Sequence, residues 1–407
     1  MGAMAANSVF EAGRLGPIEL RNRVIKCGTN EGMSRTGLVT DELIAWHREF
    51  TRGGVGMTTL AYCAVASEGR TFRDQIWMRE EAFDGLQQFA AAAHADGACA
   101  AIQLGHAGWF SSPHATGTTP IGPSATFSPH AQCRARAMDE SDFERVTAEF
   151  AAAARLAVAA GFDAIEVHCG HGYLLSQFLC PWNNRRRDQW GGSLENRARF
   201  PRQVLRAVRK AAGPHAAVYA KLNMEDGFSS GLVAKDAIEV ARWIEADGSV
   251  DALQLTGGHT TRTPFFVMRG EVPLRDLIKN QRHWMARLGM RLMAPFLLKP
   301  FPFEEGYFLP RALEFRAALG LPLMLLGGLT QLETMERARN LGFDFVAIGR
   351  GLIRDPDLVQ RLESGELKGS RCVPCNRCIV EMERGGTRCV FREKPGELTQ
   401  LGGTFPR

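Results

Sequence analysis

One rhythm constrains this chain more than anything else in it. Short apolar, often β-branched runs recur eight times, and each is followed by a longer amphipathic stretch. The runs are Val24–Lys26, Gly56–Ala61, Cys99–Leu104, Ala164–His168, Ala217–Leu222, Ala252–Leu255, Leu323–Leu326 and Phe345–Ile348. Several are almost unbroken in their apolar character, as parallel strands covered on both faces must be. The stretches between them read as helices. They are Asp41–Thr51 with Thr40 as N-cap, Glu81–Ala95, Asp142–Ala160, Ser193–Ala212, Ala234–Ala246, Leu309–Leu319, Gln331–Asn340 and Asp357–Leu362. Eight strand–helix repeats predict an α/β fold of the (β/α)8 TIM-barrel type. An open doubly wound sheet has the same periodicity, but no strand here runs into a G-x-G-x-x-G turn.

Two stretches break the rhythm. Ser111–Met138, after the third strand, is rich in Pro, Thr and Ser. Gly257–Gly306, after the sixth, is rich in Arg, Met, Phe and Pro. Both leave the C-terminal ends of strands, the face on which barrels build their sites. Long loops there predict lids or substrate walls. The expected organisation is one barrel domain over residues 1–407, with a Cys-containing extension at about 368–407.

The bulk properties exclude several classes of protein. A net charge of +5 over 407 residues is mild, and its basic residues are scattered without interleaved aromatics, so no nucleic-acid partner is expected. Residues Met1–Asn7 do not resemble a signal peptide. The apolar piece Met290–Phe303 is broken by Arg291, Pro295, Lys299, Pro300 and Pro302, and no run approaches the ~18 residues that cross a bilayer. The chain reads as a cytoplasmic protein with no membrane partner, and homo-oligomerisation stays open. Six dispersed cysteines read as reduced thiols.

Four local patterns carry chemistry. The fourth run ends in Ala164-Ile-Glu-Val-His168-Cys-Gly-His171-Gly-Tyr173. It would put two imidazoles and a phenol at the barrel mouth, suited to donating hydrogen bonds to an oxyanion and a proton to carbon. Two histidines also suit a metal. Gln103 ends the third run, and a buried amide there needs partners such as a heterocycle edge. Gly327-Gly328 and Gly349-Arg350 follow the last two runs, where barrel phosphate sites commonly lie. Lys221, near the end of the fifth run, calls for an anionic partner.

Together these patterns resemble the Old Yellow Enzyme family of FMN-dependent NADH:flavin oxidoreductases, from about Phe10 to about Cys389. Leu20-Arg-Asn-Arg-Val-Ile-Lys-Cys-Gly-Thr-Asn is similar to the family's first strand and flavin-contacting turn, Gln103 falls in Q-L-x-H-A-G, and His168, His171 and Tyr173 match H-x-x-H-G-Y-L. Arg187-Asp-Gln-Trp-Gly-Gly-Ser193-Leu-Glu-Asn-Arg197 resembles R-x-D-x-Y-G-G-S-x-x-N-R, with Trp190 for tyrosine and an Arg–Asp spacing one shorter. That segment reads as structural.

The resemblance implies FMN as cofactor and NAD(P)H as co-substrate. It implies reduction of activated C=C bonds in small unsaturated substrates, by hydride from flavin N5. Tyr173 would be the proton donor, with His168 and His171 on the substrate's carbonyl or nitro oxygen. It implies cofactor contacts from Cys27, Gly28, Thr29, Tyr62, Gln103, Lys221, Gly327, Gly328, Gly349 and Arg350. Related barrels oxidise amines instead. A barrel isomerase acting on a phosphorylated metabolite shares the glycine turns.

Cys372, Cys375, Cys378 and Cys389 form a separate cluster. Such spacing suits a metal or iron–sulfur site. The 2,4-dienoyl-CoA reductase branch of the family carries a 4Fe–4S cluster here, with its third cysteine one residue further on. An iron–sulfur cluster, zinc and free thiols all stay open.

Overall fold

The computed structural model describes residues 8–281 and 283–392. The extreme N-terminus, read above as no signal peptide, and the end of the Cys-containing extension lie outside the described residues.

Eight parallel strands close into a barrel. In chain order they are β1 (Val24–Lys26), β2 (Met57–Ala64), β3 (Cys99–Gly105), β4 (Ala164–Cys169), β5 (Ala217–Asn223), β6 (Ala252–Thr256), β7 (Leu323–Leu326) and β8 (Phe345–Ile348). Each pairs with its chain neighbours, and β8 pairs with β1 to complete the ring. All eight apolar runs are therefore strands. Their side chains are buried almost throughout, because the barrel interior lies on one face and the helices on the other. An antiparallel hairpin, Gly13–Leu15 with Ile18–Leu20, precedes the barrel.

The outer helices follow the amphipathic stretches closely. Thr40 caps Asp41–Arg52 by accepting from the Leu43 N–H. Glu140–Ala159 starts two residues before the expected Asp142, because Asp139 and Asp142 form a reciprocal capping box. Ser193 caps Leu194–Ala212 through the Asn196 N–H.

Both interruptions contain secondary structure. The loop after β3 folds back through short pairings, Ile121–Gly122 with Arg136–Ala137 and Phe127–Ser128 with Cys133–Arg134. The insertion after β6 holds the helices Leu274–Asn280 and Trp284–Leu297. Its neck is closed by a bridge in which the Gly270 N–H donates to the Phe301 carbonyl at 2.8 Å.

The segment after β4 corrects one detail. Arg186, not Arg187, pairs with Asp188, its Nη2 lying 2.6 Å from Oδ2. The Arg–Asp spacing is thus the ordinary one. The Trp190 indole donates to Glu140 at 2.8 Å and stacks on Phe143, an apolar and polar role together.

Candidate active site

Alternation along β4 turns Glu166 and His168 to the same side. In register, Glu166 faces Gln103 on β3, and His168 faces Lys221 on β5. The Lys221 ammonium lies 2.7 Å from Glu166 Oε1, both side chains being buried, and Gln103 Nε2 donates to the same oxygen. Lys221 thus finds its anion within the protein. Sequence reasoning missed Glu166, although an acid at an inward position of an apolar strand was a legible signal.

Past β4 the chain turns sharply. His171 takes a left-handed conformation, φ 59°, held by its N–H donating to Asn223 Oδ1 at 3.0 Å. Its ring Nε2 lies 2.8 Å from Thr256 Oγ1. Gly172 follows at φ 75°, where a Cβ would lie 2.7 Å from the His259 ring. Tyr173 then opens the helix Leu174–Leu179. The His168 ring centroid lies 5.0 Å from that of His171 and 4.9 Å from that of Tyr173, so the motif's three side chains converge.

Their protonation follows from burial. His168 is held well below the ordinary imidazole range by desolvation, then by His171 and Lys221. The same burial, with Lys221 and His259 beside it, brings His171 down to about 3. Both rings are therefore neutral near pH 7. The Gly170 N–H donates to His168 Nδ1 at 3.3 Å, which leaves its proton on Nε2. Burial pushes the Tyr173 phenol up to about 12, and its hydroxyl has no hydrogen bond among the described residues. Tyr62 packs 5.3 Å from Tyr173, its own hydroxyl donating to the Gly69 carbonyl at 2.6 Å.

Cys27, Gly28 and Thr29 leave β1 beside this cluster. A Cβ on Gly28 would come within 2.9 Å of Ala61 Cβ and 3.0 Å of Gln103 Nε2. One on Gly349 would come within 3.2 Å of Cys27 Sγ. The turns after β1 and β8 thus pack closely against neighbouring side chains, with no room for a Cβ at Gly28 and little at Gly349. Arg350 donates to the Arg269 carbonyl at 2.8 Å and to Asn376 Oδ1 at 2.5 Å. Gly327 and Gly328 are both left-handed, packed by Phe308 and Tyr307. Arg269 lies over the same aromatic pair, and its buried Nε has no hydrogen-bond partner among the described residues. Arg269 was not foreseen, because its insertion reads as irregular.

The four C-terminal cysteines interact with one another. Burial, with neighbouring thiols adding, pushes Cys372 up to about 12 and Cys378 up to about 11. Among the described residues no group of three or more His, Cys, Asp or Glu side chains is arranged to hold a metal ion.

Residues 8–257 match the NADH:flavin oxidoreductase / NADH oxidase family, to which the chain belongs. It is an FMN-dependent oxidoreductase. A 4,4'-dithiodibutanoate disulfide reductase of Rhodococcus erythropolis is 45% identical over 386 residues, 95% of this chain and 95% of that protein. An NADH oxidase of Thermoanaerobacter brockii is 29% identical over 91% of this chain and 53% of its own. Histamine dehydrogenase from Rhizobium sp. 4-9 superposes with a TM-score of 0.79 at 25% identity, covering 94% of this chain and 52% of that one. The chain spans about half the length of the last two proteins.

Proposed function

We propose that this member of the NADH:flavin oxidoreductase family uses NAD(P)H to reduce activated C=C bonds, such as those of enones and nitroalkenes. The observation that carries this reading is the convergence of two neutral imidazoles and one protonated phenol at the barrel mouth.

Bound FMN supplies the two-electron hydride chemistry between NAD(P)H and the acceptor. The chain offers it a fitting bed. Gly28 and Gly349 leave the backbone bare where a Cβ would collide with or crowd neighbouring side chains, and the buried Arg269 Nε, without a hydrogen-bond partner among the described residues, suits an anion. Cys27, Gly28, Thr29, Tyr62, Gln103 and Lys221 would flank the ring system. Gly327, Gly328, Gly349, Arg350 and Arg269 would hold the phosphate.

His168 Nε2–H and the His171 ring bind the acceptor's carbonyl or nitro oxygen and stabilise the negative charge that develops there. Thr256 and Asn223 fix His171 in place. Tyr173 holds its proton on Oη until a carbanion needs it, and burial keeps that proton bound across the working pH range.

A second reading rests on the relative with 45% identity, named as a disulfide reductase. An organic disulfide, NAD(P)H and one proton would give two thiols and NAD(P)+. Tyr173 would then protonate the leaving thiolate. Anaerobic NAD(P)H consumption by FMN-loaded protein separates the readings, with 2-cyclohexenone, a nitroalkene and 4,4'-dithiodibutanoate as acceptors. Turnover with the alkenes supports the first. Turnover with the disulfide alone replaces it with the second, and no turnover with any of them removes both.

A further inference from the structure

The helix Trp284–Leu297 buries Ala294 but turns several large apolar side chains to solvent. Trp284 is 72% exposed, Met285 65%, Leu288 48%, Leu292 63% and Met293 52%. Trp284, Leu288 and Leu292 recur at i, i+4 and i+8, so they form one outward stripe. A water-facing helix ordinarily turns such a stripe inward. Exposed apolar area of this kind marks an interaction surface.

The helix's own stretch of sequence carries charge of one sign, although Glu383 accepts a hydrogen bond from Asn280 at the neighbouring helix. From Leu277 to Phe303 the sequence has no Asp or Glu, but it has Lys279, Arg282, Arg287, Arg291 and Lys299. Arg275, Lys279, Arg287, Arg291 and Lys299 are all exposed. Asp276, just before this run, is engaged by Arg377.

We propose that this insertion docks the protein on an anionic membrane surface, with the apolar stripe of Trp284–Leu297 in the interface and its basic residues on lipid phosphates. A basic helix with Trp and Leu on its free face is the composition of an interfacial helix. A second copy of the chain is the poorer complement. A two-fold contact sets the same patch against itself, so Arg287 and Arg291 would meet their own kind. No described helix is long and apolar enough to cross a membrane, so the contact is superficial. The insertion leaves the mouth end of β6, and docking therefore holds that face near the bilayer. This inference revises the expectation of no membrane partner, and it does not depend on which acceptor is reduced.

The test is sedimentation of the FMN-loaded protein with vesicles. One set is phosphatidylcholine alone, and the other is an equal mixture with phosphatidylglycerol. Binding to the mixed vesicles is expected, weakened by salt. Arg287→Gln with Arg291→Gln should weaken it roughly thirtyfold. Leu288→Glu with Leu292→Glu should abolish it, while flavin content and NAD(P)H oxidation stay at the wild-type level. Failure of the wild-type protein to sediment with either set overturns the proposal. So does a dimer, seen by analytical ultracentrifugation, that the Leu288→Glu, Leu292→Glu protein fails to form.

Discussion

Consider the replacement Lys221→Met. Lys221 Nζ and Glu166 Oε1 are 2.7 Å apart, with both side chains almost wholly removed from solvent. At an effective dielectric constant near 20, two charges at that distance attract by about 6 kcal/mol. Desolvation offsets much of this, so the pair's net contribution is far smaller. Removing only the lysine is different. It leaves a buried carboxylate with neutral donors beside it, Gln103 and the Tyr219 phenol, and no cation to balance its charge. Breaking a buried pair from one side costs about 3–5 kcal/mol. Glu166→Gln alone should cost a similar amount, because it strands the ammonium. The double replacement removes both charges, so its loss should fall well short of the sum of the singles, by about 2 kcal/mol or more. Urea unfolding of the four flavin-free proteins at pH 7, followed by far-UV circular dichroism, measures the cycle. Single losses below about 1 kcal/mol that simply add in the double protein would refute the reasoning.

Three further outcomes are expected. Acid should destabilise the protein steeply: burial lowers His47 to about 4 and His171 and His259 to about 3, from near 6.5 when unfolded. The unfolded chain then binds more protons below pH 6.5, so stability is lost as pH falls toward 4, by on the order of 4 kcal/mol per pH unit. Urea midpoints at pH 7 and pH 5 check this, and equal midpoints contradict it. Arg269→Ala should weaken FMN binding by about 10- to 100-fold, the worth of a charge-assisted hydrogen bond, as read by titrating flavin fluorescence. Gly28→Ala should also lower flavin affinity, because its methyl group meets Ala61 and Gln103; an unchanged affinity would mean that the flavin does not lie on this turn.

The barrel was legible because its strands are buried on both faces, which writes them as apolar runs. Strand ends were less so. Asn223 and Thr256 extend β5 and β6 by one residue each beyond the apolar runs. Their polarity reads as loop, yet these are the side chains that hold His171. Convergence of His168, His171 and Tyr173 was visible because they share one short motif. Glu166 left a signal, an acid inside an apolar strand, but its partners Gln103 and Lys221 are distant in sequence; Arg269 left none, since its insertion reads as irregular. The insertion helices were hidden for another reason: Trp284–Leu297 turns Trp284, Met285, Leu288, Leu292 and Met293 to solvent, so its apolar residues do not read as one inward face.

The proposed reaction turns on Tyr173 as proton donor. Its direct test is stopped-flow measurement of the two half-reactions in the Tyr173→Phe protein, anaerobically and with 2-cyclohexenone as oxidant. Flavin reduction by NAD(P)H should stay close to the wild-type rate. Reoxidation by the enone should slow by about 10²–10⁴-fold, the usual worth of a positioned general acid. Wild-type reoxidation, or an equal fall in both half-reactions, would contradict the central claim.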